Sequence, residues 1–142
     1  MKILVVCQRG NVRSVTVATL LKDYAGLNDV IAIGAQTSSL ETLLYMTKWA
    51  DLIINAGQED LRDYFQFPIL TRDDIHRDDI EDKWVYLGIE VDRWQKSMHP
   101  ELMRIVLDAL HQKTDLLDHV NPPFYSNLET YLAANEAAYN RK

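Results

Sequence analysis

The stretch Ile3-Leu4-Val5-Val6-Cys7-Gln8-Arg9-Gly10-Asn11-Val12-Arg13-Ser14 sets the reading of the whole chain. Its first four residues are an aliphatic, largely β-branched run. Beyond Ser14, the apolar positions Val17, Leu20, Leu21 and Tyr24 recur at helical spacing until Gly26 stops them, predicting a helix over Ser14 to Ala25. A strand therefore feeds a helix through a short polar loop.

The alternation continues outward from there. Val30 to Ile33 is a second apolar run, closed by Gly34. Ser38 and Glu41 have capping-box spacing and open a helix carrying Leu40, Leu43, Leu44 and Met46. Ala50 to Ile54 reads as a third strand, Gln58 to Phe65 as a helix and Trp84 to Leu87 as a fourth strand. Pro100 starts a helix to about Gln112 on which Leu102, Ile105, Val106, Ala109 and Leu110 share a face. After the break at Asn121-Pro122-Pro123, Ser126 and Glu129 repeat the capping-box spacing. The last helix then offers Leu128, Tyr131, Leu132 and Tyr139 for packing, with Tyr125, Tyr131 and Tyr139 leaving self-association open: a monomer or a weak homodimer.

Apolar strands separated by helices pair in parallel, because a crossover helix returns the chain to the same edge. The expectation is an α/β fold in three layers, a four-stranded parallel sheet with helices on both faces. A length of 142 residues allows one domain, 1–142, with 113–142 as a helical extension packed on it. Ligands of such sheets gather at the carboxyl ends of the strands. Four loops lie there: Cys7 to Arg13, Gly34 to Ser38, Asn55 to Gln58, and Glu90 to Trp94.

Composition narrows the function. Fifteen basic against twenty-one acidic side chains give a net charge of −6, which argues against a grip on duplex nucleic acid. No apolar run approaches the roughly 20 residues that cross a bilayer. The short run at the start lacks the length of a signal sequence, so the expected location is cytoplasmic and away from membranes. A single cysteine excludes an internal disulfide and a multi-cysteine zinc site. Any chemistry at Cys7 is that of one thiol.

The first loop carries that chemistry. A loop of this length curls so that its backbone N–H groups, from Gln8 through Val12, converge on an anion at the positive end of the helix dipole. Gly10 and Asn11 tolerate the positive φ values such curling calls for. Arg13 supplies a planar fork for two phosphate oxygens. The same field favours the Cys7 thiolate, and Ser14 can donate a hydrogen bond to it. The opposing reading is a small buried hydrophobe beside a surface cation; the order strand, glycine loop, arginine, serine, helix favours a phosphate-binding thiol site.

At these residues the chain resembles the low-molecular-weight protein tyrosine phosphatases, in their compact prokaryotic and viral form. That family has a Cys-x5-Arg-Ser loop after the first strand of a four-stranded parallel sheet, and the resemblance implies the strand order 2-1-3-4. It extends loosely from Lys2 to Gln112 through Trp49-Ala50-Asp51-Leu52-Ile53-Ile54 and Met98-His99-Pro100-Glu101-Leu102. It implies a metal-independent phosphomonoester hydrolase without a cofactor, with Cys7 as the nucleophile of a phosphocysteine intermediate, Arg13 as phosphate clamp and Ser14 as thiolate partner. Asp92 matches the family's general acid. The substrate would be a phosphotyrosyl protein or a small phosphate ester. This chain departs from the family in placing Arg9 and Gly10 where glycine and asparagine are usual, Val12 where many members carry a second cysteine, and Arg93 where proline usually follows the acid. Without a resolving thiol beside it, Cys7 is expected to recover poorly from peroxide.

Other readings stay open. Trp94 is either a wall for an aromatic leaving group or a packing residue over the sheet edge. Glu90 is the nearest rival to Asp92, and His99 reads as a surface or capping residue rather than a catalytic one. The acidic run Asp73, Asp74, His76, Asp78, Asp79 and Asp82 alternates with isoleucine and arginine, which favours a solvated segment over a metal site. A phosphocysteine carrier would need neither Arg13 nor Asp92. A phosphate-binding module without turnover would keep the loop and dispense with the acid.

Overall fold

A computed structural model describes residues 1–9, 12–62, 80–89, 94, 96–118 and 128–141. β1 (Ile3–Cys7), α1 (Arg13–Asp23), β2 (Val30–Gly34), α2 (Leu40–Trp49), β3 (Leu52–Asn55), β4 (Trp84–Tyr86), α3 (Pro100–Lys113) and α4 (Leu128–Asn140) follow in that order. The four strands form one parallel sheet in the order β2-β1-β3-β4. β1 is central: Ile3 pairs with Val30 on one side and Leu52 on the other, and Val6 with Ile33 and Asn55.

Alternation along β1 divides the core. Ile3 and Val5 face one apolar cluster with Val17, Leu20 and Leu21 of α1, Leu102, Met103, Val106 and Leu110 of α3, and Tyr131 and Leu132 of α4. Leu4 and Val6 face a smaller cluster with Leu43 and Met46 of α2, Ile53 and Ile80. Cys7 follows Ile3 and Val5 in the odd-numbered row, so its side chain points to the α1 face. All five residues of β1 are buried, as a central strand covered on both faces requires.

Two local expectations are corrected. The cap of α2 is Ser39, not Ser38: Ser39 Oγ accepts the Thr42 N–H at 3.1 Å, while the Ser38 N–H is already spent on the Gly34 carbonyl. No helix begins at Gln58. The buried Asn55 side chain accepts the Gly57 N–H at 2.8 Å, and Asp60 accepts the Arg62 N–H at 3.0 Å. The second bond takes the Arg62 N–H that a helix from Gln58 would give to the Gln58 carbonyl, and helical geometry first appears at Arg62. Ser126, expected to cap the last helix, and the acidic run from Asp73 to Asp79 lie outside the described residues. No helix among the described residues is long and apolar enough to cross a membrane.

Candidate functional site

The site lies at the carboxyl end of β1. Cys7 closes the strand and Arg13 opens α1, so backbone alone brings the thiol to the helix N-terminus. Cys7 Sγ lies 3.1 Å from Ser14 Oγ. Cys7 is 4% exposed, Arg13 7% and Ser14 fully buried, so the pair meets where water screens it little. α1 begins with no side-chain cap at Val12 and no acid in its first turn, which leaves the positive end of its dipole uncompensated by carboxylates there.

Neighbouring loops fix the start of the thiol loop. The Ala35 and Gln36 N–H groups donate to the carbonyls of Cys7 and Gln8, both at 2.8 Å, prolonging the β1–β2 ladder past the strands. Thr37 Oγ1 donates to the Arg9 carbonyl at 3.3 Å. On the other side the Ala56 N–H donates to the Val6 carbonyl at 2.7 Å, and the Gln58 N–H reaches Gln8 Oε1 at 3.4 Å. A Cβ at Gly34 would overlap the Arg9 backbone and the Thr37 hydroxyl, so the absence of a side chain there permits this approach. Three of the four strand-end loops are thereby joined.

Next to them, Gln8, Gln58, Glu59, Asp60 and Tyr86 line an open cleft of about 630 Å³. Asp60 is its most connected group: its carboxylate accepts from Arg62 Nη2 at 2.9 Å, Trp84 Nε1 at 3.2 Å and Asn55 Nδ2 at 3.4 Å. Partial burial pushes the Asp60 carboxyl up. The hydrogen bonds from the Arg62 side chain and backbone, the Arg62 charge and the Trp84 indole outweigh it and hold the carboxyl below its ordinary value.

Of the residues singled out in the sequence, Cys7 and Ser14 come together, Arg13 is buried at the start of α1, and Gln8, Arg9 and Val12 flank them in the chain. Gly10, Asn11, Asp92 and its rival Glu90 lie outside the described residues. Trp94 is 7% exposed within the larger apolar cluster, so packing accounts for its position. His99 is a capping residue: its Nδ1 accepts the Glu101 N–H at 3.1 Å at the start of α3. Among the described residues no group of three or more His, Cys, Asp or Glu side chains is placed to hold a metal ion.

Sequence reasoning missed Thr16, Asn55 and Asn135. Thr16 and Asn55 are fully buried and hydrogen-bonded through their side chains. A polar residue inside an apolar helical stripe was the available signal for Thr16, and one at the end of an apolar strand for Asn55. Comparisons with protein-family models, curated proteins and solved structures return no match.

Proposed function

We propose that the chain is a phosphomonoester hydrolase of the protein-tyrosine-phosphatase type that works through Cys7. The observation that carries this reading is the 3.1 Å approach of Cys7 Sγ to Ser14 Oγ at the N-terminus of α1, where Arg13, the residue before Ser14, is also buried. A buried thiol that is only packing has no need of a hydroxyl partner, an adjacent guanidinium and a helix dipole of the same sign.

In the reaction, the Cys7 thiolate attacks phosphorus and the bond to the ester oxygen breaks. Asp92, the acid assigned from sequence, gives its proton to the departing oxygen. Water then attacks the phosphocysteine, Asp92 takes a proton from it, and phosphate leaves as the thiolate returns. The Ser14 hydroxyl donates to that thiolate, and Arg13 with the loop N–H groups holds the phosphoryl oxygens throughout.

The deciding experiment is hydrolysis of an aryl phosphate with chelator present, comparing wild type, Cys7→Ser and Asp92→Asn. Activity abolished in Cys7→Ser and strongly reduced in Asp92→Asn supports the reading. Equal turnover by wild type and Cys7→Ser refutes it. Tight phosphate or vanadate binding by an inactive wild type would assign the loop to a binding module instead.

A further inference from the structure

Thr16 sits one turn into α1, fully buried, and joins two distant parts of the chain. Its hydroxyl donates to the Val12 carbonyl at 2.8 Å and accepts the Met98 N–H at 3.0 Å. Met98 holds a left-handed φ of 66°, which a residue with a side chain keeps only when its surroundings impose it. On its far side the Met98 carbonyl accepts Asn135 Nδ2 of α4 at 3.1 Å. The next residue, His99, caps α3 and meets Tyr139 of α4 edge to face, ring centroids 5.1 Å apart. A line of hydrogen bonds thus runs from α4 through the backbone N–H and carbonyl on either side of Met98, and through Thr16, to the Val12 carbonyl.

Val12 is the residue before Arg13. Its carbonyl also accepts the Thr16 N–H at 3.0 Å, so it cannot shift without turning the peptide from which Arg13 and Ser14 follow. We infer that Thr16 and Asn135 are positioning residues for the thiol loop, holding the Val12 peptide and through it the Arg13 and Ser14 side chains in register with Cys7. The inference rests on reading that loop as an oxyanion site. It gives α4, more than a hundred positions further along the chain, a part in the site. A displacement of about 1 Å in groups that hold a reacting centre costs on the order of 100-fold, so a brace several residues away is enough to matter.

The test follows alkylation of Cys7 by iodoacetamide in the full chain, with inorganic phosphate as the protecting anion. Wild type, Thr16→Val, Thr16→Ser and Asn135→Leu are compared, with thermal melts by circular dichroism alongside. Thr16→Val keeps the shape and loses the hydroxyl, whereas Thr16→Ser keeps the hydroxyl. The expected result is that Thr16→Val and Asn135→Leu each need about tenfold more phosphate for half-protection, while Thr16→Ser stays within about twofold of wild type. Should Thr16→Val fail to fold, Asn135→Leu and Thr16→Ser still decide. Equal half-protection in wild type and the folded variants, whatever their melting temperatures, overturns the positioning role and leaves the oxyanion site standing. Wild-type Cys7 that phosphate does not protect overturns the oxyanion site and the positioning role together.

Discussion

Gly34 lies directly against the backbone of Arg9, at the place where the thiol loop leaves the sheet. Besides the Thr37 hydroxyl, the obstructing atoms are the Arg9 carbonyl carbon and oxygen, main-chain atoms that cannot swing aside as a side-chain tip does. Gly34→Ala should therefore destabilise the fold by about 1–3 kcal/mol, the usual cost of forcing extra volume into a filled space. Urea unfolding midpoints measure it; an unchanged midpoint would mean the two loops separate freely.

Ser14→Ala removes the hydroxyl that faces Cys7 Sγ at 3.1 Å. A hydrogen bond to a charged group is worth about 1.5–3 kcal/mol, so less thiolate should be present at neutral pH in the variant. Alkylation of Cys7 at pH 7 is expected to slow by roughly tenfold, with the two proteins converging at alkaline pH where both thiols are ionised. Coincident rate profiles would show that the hydroxyl does not stabilise the thiolate.

Asp60 gives a pH signature. Its carboxyl is held below the ordinary 3.8, chiefly by Arg62 against an opposing burial effect. A depressed carboxyl contributes stability at pH values above its unfolded value and loses it as pH falls through the folded value. Asp60→Asn should flatten the loss of stability below about pH 4 and cost under about 1 kcal/mol at pH 7, since the Arg62 pair is solvent-screened. Melting temperatures from pH 7 down to pH 3 test this, and parallel curves for the two proteins would contradict it.

Tyr131 is 2% exposed and lies against Tyr24, with ring centroids 5.6 Å apart. Tyr131→Ala should cost about 3–5 kcal/mol, as large aromatic truncations in cores do. Proteolysis should at the same time become faster within α4, whose buried apolar contact with the larger core cluster is made by this ring and Leu132. A loss below 1 kcal/mol would show that α4 is bound loosely.

How far the sequence predicted the molecule depended on the range of each interaction. β1 and α1 were legible because their apolar spacing is local, and the parallel pairing followed from the helices between strands. The approach of Cys7 to Ser14 was legible for the same reason, since strand end, loop and helix start are consecutive. The cap of α2 was misplaced by one residue because Ser38 and Ser39 both suit the role, and only the Ser38 N–H bond to Gly34 separates them. The helix expected from Gln58 starts no earlier than Arg62 because Asp60 captures the Arg62 N–H, a competition that apolar periodicity does not register. The pairing of Thr16 and Asn135 with Met98 was out of reach, the partner lying 82 and 37 positions away.

Those separations bear on how the protein is born. The Cys7 loop is synthesised before β2 and β3, so β1 waits for them before it has neighbours on both sides. Its brace through Met98 waits longer still, for Asn135. Contacts this remote in sequence form late and slow folding. A nascent chain would therefore carry Cys7 unshielded until those later segments emerge, making a half-built chain more vulnerable to oxidants than the folded one.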